Sequence, residues 1–400
     1  ADPKFSQKRR IHFPLPKPRF GQQFSRPLHF STVPVHNHPE WKGKITRLQV
    51  GWGHATPANI NIRAIHTAID SRHPTTGMTY VHGCTEYFNW TRDIEFLRQN
   101  IGRMRKALAF TIREFEIEKH GCVVVPWVGH GGRTGFEFDA AGKKPLLHGR
   151  GIGNNYWDLL PFGHKDFLAT LYMFESLKRA AQLELAITNN PDWNIPASEI
   201  KPERLLSLAK LLKTRGGDMF WNDKTGRFIA CIDINGKAHD YGFTFLNLEA
   251  IYYGFTTDAQ AKSILGWIDG KRVVNGDTSQ GKDIYHWRFA PRATTRRNTE
   301  WYSFVWHRPE TIPWGGQVQD GGAVLGFSYH DLMARLQVHG PDDTWRRFQG
   351  ILAWFEEVEK QGGYRAYYKH PGRGTLQGGG TAGGLGIDHE FMESVLIPQT

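Results

Sequence analysis

The sequence is poor in the features that announce the commonest chemistries. Its 400 residues hold only three cysteines, Cys84, Cys122 and Cys231, and none stands in a C-x-x-C spacing. That excludes a disulfide scaffold and a thiolate metal site; one disulfide plus a free thiol, or three free thiols, are both allowed. No apolar run approaches the roughly 20 residues that a membrane helix requires, so no membrane partner is expected. There are 19 histidines, among them His36, His38, His82 and His130, but no H-E-x-x-H or comparable spacing. A catalytic transition metal is therefore not expected, while a structural Ca²⁺ held by loop carboxylates stays open. The glycine runs at Gly129 to Gly132 and Gly378 to Gly384 match neither a phosphate loop nor a dinucleotide fingerprint, which argues against a nucleotide cofactor. The start of the sequence, Ala-Asp-Pro followed by a basic, proline-rich run to about His38, lacks the apolar stretch of an export signal. Either export is absent or a signal has been removed; the Asn89-Trp90-Thr91 triplet favours an extracytoplasmic, secreted or periplasmic, location.

What the chain does have is a large apolar fraction, 40%, with 22% charged residues, enough to bury an extensive core. Aromatics are abundant: 14 Trp, 13 Tyr and 25 Phe, many beside Gly, Asp or Asn, where flat rings suit sugar faces. The formal net charge is +11. The basic residues are dispersed, with small clusters at Lys8 to Arg10, Arg103 to Lys106, and Arg292, Arg296 and Arg297, and none interleaves with aromatics as a single-strand platform would. Nucleic acid ranks low as a partner; an acidic glycan stays among the candidates.

The stretch IPWGGQVQDGG, Ile312 to Gly322, presents Asp320 on a glycine-rich bend ahead of an apolar helical segment. A carboxylate there is either a displayed acid or an ordinary N-terminal helix signal, and Trp314 beside it tips the reading towards a site. Trp41 to Trp52 alternates as a strand would, and Asn59 to Asp70 reads as a short helix or strand. Helical periodicity then covers Asp93 to Lys119, capped by Thr91 or Asp93, followed by His164 to Ile187, Pro202 to Lys213 and Tyr241 to Tyr253. It continues over Asp258 to Ile268, capped by Thr257, and over Ser328 to Val338 and Asp343 to Lys360. These form successive helix pairs separated by long Gly- and aromatic-rich loops, too far apart and too unequal for a short solenoid repeat. A toroid of antiparallel hairpins with its loops at one mouth follows from that order.

Three segments carry a resemblance: Asn154 to Asp166 (NNYWDLLPFGHKD), Asp240 to Asn247 (DYGFTFLN) with the YGFTTDAQAK that follows, and Gln319 to Gly322 (QDGG). They resemble the six-hairpin glycosidases, glycoside hydrolases with (α/α)6 barrels such as α-L-rhamnosidases, trehalases and glucoamylase-like enzymes. The resemblance runs from about Tyr80 onward. It implies a mainly α fold, an (α/α)6-type toroid whose mouth binds an oligosaccharide or polysaccharide, and acid/base hydrolysis with inversion, α-L-rhamnosidase-like activity being the most specific form. About four hairpins are recognisable, so an incomplete toroid is among the expectations, and the sequence resembles part of a longer protein. Residues 1–52 would be an irregular and β segment left from a β-sandwich, and 53–400 the catalytic domain.

Inverting hydrolysis needs a protonated carboxyl and an ionised carboxylate roughly 6.5–9.5 Å apart. The loop acids are Asp158, Asp240, Asp320 and the cluster Asp388, Glu390 and Glu393, with Asp320 and Glu393 the favoured pair. Glu390 and Glu393 share one side of a helix, though an acid-rich first turn is an equally ordinary origin for them. Tyr156, Trp157, Lys165, Trp314, Arg365 and His389 are the candidate substrate-binding residues. Trp157 is placed to stack on a sugar ring while Asp158 accepts its hydroxyls; Lys165 and Asp166 alternatively form a weak surface pair. Arg365 sits in the strip Tyr364 to Tyr368, which reads as a surface strand or as a grip on an acidic sugar. A glycan-binding protein without catalysis, a polysaccharide lyase and a phosphorylase are the competing classes.

Overall fold

A computed structural model describes residues 74–125, 139–143, 160, 163–302, 309–311, 313–316, 319–367 and 369–370. All lie in one compact unit, Ser71–Thr400. The strand expected at Trp41 to Trp52, the element at Asn59 to Asp70 and the boundary at residue 52 fall outside the described residues.

The described chain is mainly helical. Helix α1 (Thr76–Thr91) packs on α2 (Ile94–Glu114), which is followed by the short α3 (Ile117–His120). Helix α4 (Phe167–Asn189) packs on α5 (Pro202–Leu211), which passes through a π turn, Leu212–Gly216, into α6 (Gly217–Phe220). Helix α7 (Thr244–Tyr252) pairs with α8 (Asp258–Ile268), and α9 (Phe327–His339) with α10 (Pro341–Lys360); α11 (Tyr364–Tyr367) follows. The first members also pack on one another, α1 on α4, α4 on α7 and α7 on α9, so they form an inner layer backed by α2, α5, α8 and α10.

Composition follows this layering. Helix α2 buries a single stripe, Leu97, Ile101, Met104, Leu108 and Thr111, and α10 buries Phe348, Ile351, Trp354 and Val358, as helices with one wet face do. Every residue of α7 from Thr244 to Ile251 is buried, because protein covers it on all sides. Inner helices run in the same sense. Tyr172 and then Lys178 of α4 meet Glu249 and then Tyr253 of α7, and Phe245 and then Tyr252 of α7 meet Phe327 and then Gln337 of α9. Their N-termini therefore share one end.

Several helix ends differ from the periodicity. The sequence places the first long helix at Asp93, whereas α1 precedes it; TGMTYVHGCTEYFNWT mixes Gly, Thr and aromatics, so its helical face (Met78, Val81, Cys84, Thr85, Phe88) is masked by low intrinsic propensity. Asp93 is the cap of α2, accepting from the Phe96 amide at 2.9 Å. Thr257 and Gln260 form a reciprocal capping box at α8. Lys165 and Asp166 are not the surface pair expected from the sequence, since Asp166 is not at the surface. Asp166 is fully buried and caps α4 through the Ala169 amide at 2.9 Å, because a helix starting in the core needs its free N–H groups met by protein. The strip at Arg365 is helical, not a strand, and Tyr367 is buried against Trp354.

Short strands gather where chain enters the inner helices. In chain order they are β1 (Val123–Val124), β2 (Lys165–Asp166), β3 (Trp221–Asn222), β4 (Arg227–Phe228), β5 (Cys231–Ile232) and β6 (Ala238–His239). Four make an antiparallel sheet in the order β1-β2-β5-β6, with Asp166 opposite both Val123 and Cys231, and Cys231 opposite His239; β3 pairs with β4. The three cysteines are buried free thiols, and burial pushes Cys122 up to about 12.

One acid lies inside the helical layer itself. Glu249, between α4, α7 and α9, accepts from the Tyr172 hydroxyl at 3.1 Å and has His330 Nε2 at 3.6 Å. Burial pushes Glu249 up to about 8 and His330 down to about 3, so both are neutral at neutral pH. A folded pKa above the unfolded value of about 4.3 contributes stability that is complete below about pH 4.3 and is lost as pH rises towards 8. Urea unfolding at pH 5 and pH 8 should therefore show the wild type losing stability relative to Glu249→Gln, on the order of 1 kcal/mol per pH unit. Equal pH slopes in the two proteins would contradict a neutral buried Glu249.

Candidate functional site

The segment 292–297 is laced between two loops at the N-terminal end of the inner helices. On one side the Thr244 amide donates to the Ala293 carbonyl at 3.0 Å, the Thr244 hydroxyl to the Arg292 carbonyl at 2.5 Å, and the Thr295 amide to the Gly242 carbonyl at 2.9 Å. On the other, the Ala293 amide donates to the Gly322 carbonyl at 2.6 Å and the Gly321 amide to the Thr294 hydroxyl at 3.0 Å. The loop entering α7, which carries Asp240, and the loop ahead of α9, which carries Asp320, are thus fastened to the same strand-like segment.

The two acids meet opposite surroundings. Asp240 takes Arg227 Nε on both oxygens, at 2.9 and 3.1 Å, and the Gly242 amide at 3.0 Å. The other edge of the Arg227 guanidinium forks onto Asp277 at 2.6 and 2.9 Å, and its face lies 4.4 Å from the Trp267 ring. Asp277 is also bonded by Trp267 Nε1 at 3.1 Å and the Thr295 hydroxyl at 2.7 Å. Burial alone would lower the Arg227 pKa, but the carboxylates of Asp240 and Asp277 carry it above its ordinary value. Asp240 is thereby held against a permanent cation.

Asp320, by contrast, is 1% exposed. It does not cap a helix: α9 starts at Phe327, and the Asp320 carbonyl accepts from the Gly315 amide at 2.8 Å, which closes the loop on itself. Burial raises its carboxyl above the usual Asp range, against the opposing pull of the Tyr302 hydroxyl and of Arg297, whose Nη2 is 3.6 Å away. Burial thus favours the uncharged form of Asp320, whereas Asp240 is paired with a cation, and an asymmetry of that kind can separate a proton donor from a proton acceptor.

Trp314 braces the Asp320 turn. Its indole N–H donates to the Ser279 hydroxyl at 2.9 Å, the Arg292 guanidinium lies 5.6 Å from the ring, and Gly321 backs onto it. Gly321 has φ +78°, and a Cβ there would lie 2.5 Å from the ring. Gly321→Ala should therefore cost roughly 1–3 kcal/mol and change the near-ultraviolet dichroism of the indole; an unaltered melting temperature would contradict this packing.

A cleft of about 330 Å³ opens beside these loops, lined among others by Lys237, His239, Asp240, Arg296, Arg297 and Trp301. Asp240 reaches it directly, and Asp320 lies behind Arg297. Of the residues singled out in the sequence, Asp240, Asp320 and Trp314 are brought to this end of the fold. Lys165, half-buried on β2 at the entry to α4, lies at the same end, whereas Arg365 is exposed on α11. Tyr156, Trp157, Asp158, His389, Glu390 and Glu393 lie outside the described residues. Sequence reasoning passed over Arg227, Asp277, Lys237 and Trp301, and it treated Arg296 and Arg297 only as a basic cluster. The polar turn Asn275 to Ser279 between helices was the available signal for Asp277. Among the described residues no group of three His, Cys, Asp or Glu is arranged to hold a metal ion, and no helix is long and apolar enough to cross a membrane.

No protein-family model matches this chain, and no curated protein matches it. Among solved structures it is similar to a GH78 family rhamnosidase of a Bacillus species, at 14% identity and TM-score 0.38 over 72% of this chain and 22% of that one. It is also similar to a GH63 mannosylglycerate hydrolase from Thermus thermophilus in complex with Tris, at 8% identity and TM-score 0.45 over 72% and 69% of the two chains. A third is an uncharacterized conserved protein from the same Thermus species, at 10% identity and TM-score 0.45 over 72% of each. The chain thus spans only 22% of the length of the rhamnosidase.

Proposed function

We propose that the chain is a glycoside hydrolase acting at the cleft beside Asp240, on helix pairs belonging to an (α/α)6 toroid. The observation that carries the reading is the fastening of the Asp240 and Asp320 loops to one segment, 292–297, which puts a cation-paired carboxylate and a buried acid of raised pKa at one end of the inner helices. The sequence resemblance of the same two loops to six-hairpin glycosidases points to the same chemistry.

In the proposed reaction the Asp320 carboxyl gives its proton to the glycosidic oxygen as the bond to the anomeric carbon breaks. A carboxylate takes a proton from the water that attacks the opposite face, leaving a sugar of inverted configuration. Asp240 fills the second role among the described acids; Glu393 and Asp158 are the other candidates. Because Asp320 lies behind Arg297, proton delivery requires that side chain to swing away as substrate enters. Rhamnosides are the first substrate class to test, with a structural Ca²⁺ as an additive. A screen of neutral and acidic oligosaccharides, followed by identification of the released sugar, tests the reading. The near-complete burial of Asp320 favours a second reading, a glycan-binding protein without catalysis. In that case some oligosaccharides bind, none is cleaved, and Asp320→Asn leaves binding unchanged.

A further inference from the structure

Lys237 is an exposed side chain that the fold fixes from both ends. Its backbone is pinned by Asp233: the Lys237 amide donates to Asp233 Oδ1 at 2.9 Å, and the Asp233 amide donates to the Lys237 carbonyl at 2.9 Å. Its ammonium lies 4.3 Å from the centre of the Trp301 ring. That ring meets the edge of His239 at 4.5 Å, and His239 Nε2 is bonded to Asp233 Oδ2 at 3.0 Å, which closes a loop of contacts around the lysine. Among the described residues no carboxylate lies within ion-pair distance of Lys237. An exposed lysine ordinarily keeps its rotamer freedom, and holding one over an aromatic ring at the wall of a cleft spends that entropy ahead of any ligand.

The other cations of the cleft are differently engaged. Arg296 is turned onto the carbonyls of Gly276 and Asn275, at 3.3 and 3.2 Å, and towards Asp277. Arg297 lies against Asp320, an acid that burial pushes towards its protonated, uncharged form. Glu300, exposed on the rim, is the opposing charge.

We propose that Lys237 is a specificity-determining residue for an anionic sugar, and that the cleft takes a glycan bearing a carboxylate, a uronate, which lies between the Lys237 ammonium and the Arg297 guanidinium. This rests on the cleft being the glycan site proposed above. A carboxylate suits the pair because Arg297 offers a planar fork and Lys237 a point charge, both within a small concave space. A uronate that engages Arg297 also competes with Asp320 for it, which couples recognition to release of the buried acid.

Calorimetric titration of the whole chain with oligogalacturonides and with neutral oligosaccharides of equal length tests this, in the wild type and in Lys237→Met and Lys237→Arg. The expected result is binding of the acidic series that weakens as salt rises, a loss of tenfold or more in Lys237→Met, and substantial recovery in Lys237→Arg. The melting temperature of Lys237→Met should hold because the side chain is exposed. Equal binding of acidic and neutral sugars by the wild type, undiminished acidic binding by Lys237→Met, or no binding of the acidic series overturns the proposal. If neutral glycosides are nonetheless hydrolysed and that activity needs Asp320, the hydrolase reading survives this failure; Lys237-dependent acidic binding without cleavage has the reverse consequence.

Discussion

Asp320→Asn should lower turnover by about 10³-fold, within the range ascribed to general acid–base catalysis, while leaving the fold and the affinity for substrate nearly intact. The amide keeps the shape of the carboxyl and its contact with Tyr302, but it has no proton to give. Stability supplies an independent check. Because the folded pKa of Asp320 is raised, its contribution is complete below the ordinary Asp value of about 3.9 and is lost as pH climbs through the folded value. Above that range the Asn variant should be at least as stable as the wild type, and its advantage should vanish in acid. A variant that keeps full turnover removes Asp320 from the chemistry. One that melts far below the wild type at neutral pH makes it a structural carboxylate instead.

The largest effect on stability should come from Arg227. Arg227 is wholly buried and holds Asp240 and Asp277 on its two edges. Arg227→Met fills much of the same volume yet leaves the two carboxylates without their shared cation, which should cost roughly 3–5 kcal/mol. Neutralising both acids in the same protein, with Asp240→Asn and Asp277→Asn, should return much of that loss, since the penalty lies in the stranded charges and not in the missing arginine. Urea unfolding of the single and triple variants measures this. A loss below about 1 kcal/mol in Arg227→Met, or a triple variant no better than the single, would contradict the network.

How much of this was legible in the sequence depended on which physical signal each element carries. Helices with one wet face announced themselves: Asp258 to Ile268 matches α8 at both ends, with Thr257 as its cap, because capping and periodicity agree there. Inner helices were less sharply drawn. Thr244 to Ile251 is buried throughout, so there is no amphipathic edge to mark its start, and the apolar reading ran back to Tyr241. Helix α1 was hidden by its own Gly and Thr content. Asp320 and Asp240 were singled out from loop chemistry, since glycines and aromatics beside an acid are local features. Their environments were not. Arg227 reaches Asp277 across 50 residues, and the segment 292–297 meets both acid-bearing loops only through backbone bonds that no local pattern records.

The most direct test of the hydrolase account is proton NMR of a panel of neutral and acidic oligosaccharides incubated with the wild type and with Asp320→Asn, followed from the first minutes. The account predicts that the wild type releases a reducing sugar whose first-formed anomer is opposite to that of the bond cleaved, and that Asp320→Asn releases almost none. An unsaturated product absorbing in the ultraviolet, release that depends strictly on phosphate, equal rates in the two proteins, or no released sugar from any member of the panel would contradict it.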